Sequence, residues 1–164
     1  MPMDEVEPAG RFVLMTLMMV GGSPGGTAGG MKTTTVALLV LTIAATVRRR
    51  QHTEAFKRRI SDPLVRRAAT IGACFVALVC VAIGLLSLSE PVPFGDVAFE
   101  AISGATTTGL STGITGELTG FGKVVMIGTM FLGRVGPLAL LGALLFGSRP
   151  ARPYDYPHED VVMG

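Results

Sequence analysis

The stretch Val97-Ala98-Phe99-Glu100-Ala101-Ile102-Ser103-Gly104-Ala105, running directly into Thr106-Thr107-Thr108-Gly109-Leu110-Ser111-Thr112-Gly113, decides how this chain is read. Its first part, 97–105, is semi-apolar and helical in composition, but far shorter than the roughly 20 helical residues needed to cross a hydrocarbon core of about 30 Å. Apolar segments of sufficient length bracket it, 68–89 before and 122–147 after. Irregular polar backbone at membrane depth is tolerated only where protein buries it or where it lines a water-filled path, because lipid satisfies neither N–H nor C=O. The predicted layout is therefore a spanning helix 68–89, an outer loop, a re-entrant helix 97–105, a polar loop 106–113 and a second spanning helix 122–147.

Charge sets the orientation. The linker 48–67 holds Arg48, Arg49, Arg50, Lys57, Arg58, Arg59, Arg66 and Arg67 against only Glu54 and Asp62, which assigns it to the cytoplasm. The acidic, proline-containing Glu90-Pro91-Val92-Pro93-Phe94-Gly95-Asp96 then falls outside, and the tail 148–164, beginning near Arg149 and Arg152, is cytoplasmic. Upstream, 12–20 is apolar but too short to span, and 36–47 is apolar and rich in β-branched residues. Between them lies Gly21-Gly22-Ser23-Pro24-Gly25-Gly26-Thr27-Ala28-Gly29-Gly30-Met31-Lys32-Thr33. After a polar segment 1–11, residues 12–47 thus form one broken span with a Gly-rich intramembrane loop at 21–35.

Composition agrees with this all-α, multi-pass membrane reading: 49% of the 164 residues are hydrophobic, 16% are charged, and mean hydropathy is +0.54. A net charge of only +2, with the cations gathered between apolar segments, argues against nucleic-acid binding. The start, Met1-Pro2-Met3-Asp4-Glu5-Val6-Glu7, is acidic where a cleavable signal would be basic, so an internal segment is expected to direct insertion. Cys74 and Cys80 sit in one apolar helix and read as packing residues; His52 and His158 have no partner spacing, so no metal site is expected. No nucleophile, base and orienting group come together, and an enzyme is not expected.

The Gly-rich loop nearly fits G-x-x-x-x-G-K-[ST], but Met31 separates Gly30 from Lys32 and no βαβ context surrounds it, which argues against nucleotide hydrolysis. A mobile plug at membrane depth accounts for both composition and position. Its candidate residues are Gly21, Gly22, Ser23, Gly25, Gly26, Thr27, Gly29, Gly30 and Lys32, with Lys32 near its cytoplasmic end and Thr33, Thr34 and Thr35 as caps of the resumed helix. Arg134 stands in Phe131-Leu132-Gly133-Arg134-Val135-Gly136-Pro137, where a lone arginine costs at least about 3 kcal/mol on insertion scales and must face protein, water or counter-charge. Two roles are open for it: an electrostatic barrier in the pathway, or a tie to helix-end carbonyls. Gly133, Gly136 and Pro137 permit close approach or a kink.

The order span, outer loop, short re-entrant helix, polar loop, span is similar to a pore-forming repeat of the potassium-channel kind. Such a filter replaces an ion's hydration shell with backbone carbonyls and needs small or β-branched residues, with glycine where dihedral angles become unusual. Thr106, Thr107, Thr108, Gly109 and Leu110 supply that pattern; against Thr-Val-Gly-Tyr-Gly, Thr108 stands at the Val position, Leu110 at the Tyr position and Ser111 at the last Gly. The re-entrant helix would aim its partially negative C-terminal end at the ion. Glu100 either adds to the cation-favouring field or holds the filter by hydrogen bonds.

At these residues the chain resembles the C-terminal part of the membrane subunit of Trk/Ktr-type potassium uptake systems. Gly21 to Thr35 resembles the gating loop in the closing helix of the family's third repeat, Phe99-Glu100 through Gly113 its fourth pore helix and filter, and Gly133-Arg134-Val135-Gly136-Pro137 its fourth closing helix, whose arginine points into the pore. Tyr156-Pro157 and Val161-Val162-Met163-Gly164 look like the family's end. The resemblance implies potassium as the transported ion, four pore-loop repeats, a homodimer of complete subunits in the plasma (inner) membrane, and a cytoplasmic nucleotide-binding regulatory subunit. Repeats one and two and most of repeat three are absent, so activity of this chain alone is not expected. The competing readings are a non-conducting membrane interaction module whose basic linker recruits cytosolic partners or anionic lipid, a truncated relic, and self-assembly of several copies, which the leading broken helix disfavours.

Overall fold

The computed structural model describes residues 6–26, 28–50, 52–55 and 58–136. The elements run α1 (Pro8–Met19), α2 (Thr33–Val47), a ribbon of β1 (Glu54–Ala55) and β2 (Arg58–Arg59), α3 (Asp62–Ser89), α4 (Phe94–Thr106), a 3₁₀ turn (Ile114–Gly116) and α5 (Gly120–Val135). The protein is mostly helical, and among the described residues α3 alone is long and apolar enough to cross a membrane.

The sequence builds α3 through a seam: Ala68, Gly72, Phe75, Val79, Ala82 and Leu86 are buried at alternating four- and three-residue steps, one face of a helix. The opposite face is apolar and open, Leu88 being 88% exposed. The short helix α4 is different. Every residue from Val97 to Thr106 is buried, which at 3.6 residues per turn means all sides of the helix are covered. Phe99 and Ile102 pack with Met18, Phe75 and Val79, while Val97 and Ala101 pack with Ala82, Leu86 and Met126. The core is thus α4 itself, held between α1, α3 and α5. Lipid tails are as apolar as leucine, so such helices associate through close packing and hydrogen bonds rather than by escaping water. Gly133 shows this: a Cβ there would overlap the Ala105 carbonyl, so the last turn of α5 lies directly on the end of α4.

Boundaries depart from expectation in informative ways. Helix α1 begins at Pro8 rather than at 12, with the proline in its first turn, where a missing N–H costs nothing. Helix α2 starts at Thr33, so the Gly-rich loop is shorter than 21–35; its N-cap is Lys32, without a side-chain cap bond, and the threonines lie in the first turn rather than capping it. Helix α3 begins at Asp62, which takes Arg66 and Arg67 out of the linker. The rest of that linker is not all irregular, because β1 and β2 pair antiparallel, Glu54 with Arg59 and Ala55 with Arg58. Helix α4 starts at Phe94 and includes Thr106, and α5 starts at Gly120 because Thr119 caps it, accepting from the Gly122 N–H at 3.1 Å. Among the described residues α5 ends at Val135, with Gly136 at φ 90°; positions 137–147 of the expected helix, the tail 148–164 and the candidate Thr27 lie outside the described residues.

Candidate functional site

Helix α4 ends in a left-handed turn that launches the polar loop. The Thr107 N–H donates to the Gly104 carbonyl at 3.2 Å and the Thr108 N–H to the Ser103 carbonyl at 3.1 Å, the paired bonds of a Schellman ending. The residue in the left-handed position is Thr107, at φ 55° and ψ 33°. That is uncommon for a β-branched residue and costs roughly 1–3 kcal/mol, so the surroundings must hold it. Gly109 follows at φ 81°, so positive φ values flank Thr108 on both sides. Thr106, expected in the loop, is the buried last residue of α4; its hydroxyl donates to the Ile102 carbonyl at 2.8 Å and lies 2.7 Å from the Thr108 hydroxyl.

Two carboxylates secure the rest of this loop and the turn into α5. Glu100, only 3% exposed, accepts from the Ser111 hydroxyl, from the Thr112 N–H at 2.9 Å and from the Thr115 hydroxyl at 3.0 Å. Of its two open roles, these contacts carry out the second: it ties the loop back to the helix that precedes it. Glu90 does the same one layer further out, accepting from the Thr119 hydroxyl at 2.6 Å, the Thr119 N–H at 3.1 Å and the Ser89 hydroxyl at 3.2 Å. Those bonds, Thr119's hydroxyl first, hold the Glu90 carboxyl below the usual carboxylate range. Glu90 went unread in the sequence except as an acidic loop residue. A threonine directly before the apolar run 120–135 was the available signal for its partner.

The Gly-rich loop meets this structure from the other side. Its ends close on each other, the Gly21 N–H donating to the Met31 carbonyl at 2.7 Å and the Thr33 N–H to the Gly22 carbonyl at 3.2 Å. Lys32 folds back over it, Nζ donating to the Ala28 carbonyl at 2.7 Å and the Gly26 carbonyl at 3.3 Å. The Gly29 N–H donates to the Thr107 hydroxyl at 2.9 Å. A Cβ on Gly29 would stand 2.6 Å from that hydroxyl oxygen and 3.0 Å from the Thr106 carbonyl oxygen, so glycine is required for the approach. Gly30 lies beside Thr106, whereas Ser23, Gly25 and Gly26 are exposed and do not reach the Thr run.

Arg134 is in the last turn of described α5, not mid-helix, and is exposed. It lines a cavity of about 150 Å³ together with Gly29, Gly30, Lys32 and Phe75. The cavity's walls hold two cationic side chains and no carboxylate. Among the described residues Arg134 makes no hydrogen bond or ion pair with a helix-end carbonyl. Further out, Arg11 pairs with Asp96 at 2.7 Å, setting the start of α1 level with the start of α4, a link that nothing in local sequence could reveal.

A buried short helix, a carboxylate-bound polar loop and a Gly-rich loop thus pack together among apolar helices. The family model TrkH, a cation transport protein, matches residues 1–146, and the chain belongs to that family. It is 38% identical over 165 residues to the potassium/sodium uptake protein NtpJ of Enterococcus hirae, covering 98% of this chain and 37% of that protein. It is likewise 38% identical over 122 residues to the Ktr system potassium uptake protein B of Vibrio alginolyticus (72% of this chain, 26% of the relative) and 33% identical over 120 residues to its namesake in Bacillus subtilis (73% and 26%). The chain spans between about a quarter and somewhat over a third of the length of these relatives.

Proposed function

We propose that this chain contributes one filter strand, Thr106 to Leu110, and the gate beneath it, Gly21 to Lys32, to a potassium pathway completed by further repeats of a Trk/Ktr-type transporter. The observation that carries the reading is the direct seat of Gly29 on Thr107, which brings together two segments that are far apart in sequence and each irregular at membrane depth. The pair of positive φ values around Thr108 supports a row of filter carbonyls, and the C-terminal end of α4 faces the same place with its partial negative charge. Below, Lys32 and Arg134 line one cavity without an acid, an electrostatic barrier to a cation leaving the filter. The Arg48 to Arg59 segment would lie in the cytoplasm, where the nucleotide-binding regulatory subunit acts, and the complete subunit would form a homodimer in the plasma membrane.

The test is growth of an uptake-deficient bacterial strain at limiting potassium, with this chain expressed alone and together with the complementary repeats. Rescue only by the combination is the expected result. Failure of both, with both inserted in the membrane, would leave a non-conducting interaction module or a relic. In the rescuing combination Arg134→Ala should change the uptake rate without loss of insertion.

A further inference from the structure

We propose that the Thr107 hydroxyl is a latch between the Gly-rich loop and the filter, so that Thr107 keeps its left-handed conformation, and the filter with it its discrimination between potassium and sodium, only while Gly29 donates to it. The inference rests on the pathway reading above and goes beyond it by making selectivity depend on the position of the loop. Glycine is the ordinary occupant of a left-handed helix ending, and threonine is a poor one. What threonine adds at this position is an acceptor. Its hydroxyl has one hydrogen-bond partner among the described residues, the Gly29 N–H at 2.9 Å, and Gly29 is buried against it with no room for a side chain. Elsewhere the loop is held by its closing backbone bonds, by Lys32 and, at its end, by Met31 against the core around Met18, Phe75 and Phe99, while the stretch from Ser23 to Gly26 is exposed.

If the loop leaves, the Thr107 hydroxyl loses its partner and the strained backbone retains only the two bonds of the helix ending. Relaxation of φ toward the extended region then turns the Thr107 carbonyl, the innermost of the loop after α4. Loop displacement and a changed filter are one event. The outer loop, tied to Glu100 through Ser111, Thr112 and Thr115, is not disturbed by it.

The test separates the hydroxyl from the side chain's shape. Loop position is read as the labelling rate of Ser23→Cys by a membrane-impermeant thiol reagent added to inside-out vesicles, in a Cys74→Ala, Cys80→Ala background. Selectivity is read as the potassium-to-sodium uptake ratio with the complementary repeats present. Thr107→Val keeps the shape and removes the acceptor. It should raise labelling about five-fold, the equivalent of one neutral hydrogen bond, and lower the uptake ratio in parallel. Thr107→Ser keeps the acceptor and should label at close to the parent rate, several-fold more slowly than Thr107→Val. Labelling of Thr107→Val at the parent rate overturns the latch, as does equal labelling of the Val and Ser variants. Labelling is measured on the inserted chain whether or not it conducts, so loss of uptake in every combination would remove the pathway reading while the latch is still decided.

Discussion

The two irregular loops, one after α4 and one between α1 and α2, are held in opposite ways. The polar loop from Thr107 to Thr119 is fastened by buried Glu100 and, at its far end, by Glu90, acceptors that collect hydroxyls and N–H groups from the segment they hold. The loop from Gly21 to Met31 has no carboxylate; its own backbone, one lysine, the contact of Gly29 with Thr107 and the packing of Met31 on the core keep it in place. The bonds to Glu100 go to a buried charged acceptor, whereas those of Lys32, also charge-assisted, are exposed and open to exchange with water, so the first loop is held more firmly than the second. Position alone would have suggested similar elements. The acceptors tell them apart.

The largest effect should come from removing the fastening. Glu100→Ala leaves the Thr112 N–H and the hydroxyls of Ser111 and Thr115 without their buried acceptor, and should cost on the order of 3–5 kcal/mol, abolish uptake and lower the unfolding temperature of the detergent-solubilised protein. A Glu100→Ala protein as stable as the parent would erase the contrast between the loops. A smaller effect is expected at the other loop: Lys32→Met removes both carbonyl contacts of Nζ at roughly 1 kcal/mol and should raise Ser23→Cys labelling several-fold with little change in unfolding temperature. Reduced labelling would mean that Lys32 props the loop open instead of strapping it down.

The smallest effect concerns pH. Because the folded Glu90 carboxyl titrates below its ordinary value, its contribution is fully present above the unfolded pKa, near 4.5, and is lost as pH falls through the lower folded value. Thermal unfolding followed from pH 7 down to pH 3 should show this acid loss in the parent and a flatter profile in Glu90→Gln. Identical profiles would detach Glu90 from the outer fastening.

Much of this contrast was legible in the sequence, and the missing part has a physical cause. The length of the apolar run 68–89 marked α3, whereas the steps 68, 72, 75, 79, 82 and 86 that form its buried face are set by packing and do not stand out in a segment apolar on all sides. The shortness of 97–105 against its neighbours marked α4 as a separate short helix, and the glycine content of 21–30 marked a loop. What local pattern cannot convey is which groups meet across long separations. Gly29 with Thr107, Glu90 with Thr119 and Arg11 with Asp96 are each set by packing of helices, not by neighbours in the chain. Helix starts were misplaced where polar residues begin the helix, at Pro8, Asp62 and Thr119-Gly120, because an apolar run was used to mark where each began.

The covering of α4 on every side also bears on how the protein is made. A helix of 13 residues cannot be handed to the bilayer as a span, and its ends cannot be left in lipid. In the proposed topology α3 is the segment long enough to enter the membrane by itself, and α4 would wait at the surface until α5 has followed and a protein-lined berth exists for it. Biogenesis of this segment is therefore a matter of order, with the last-synthesised of the three helices completing the place where the middle one comes to rest.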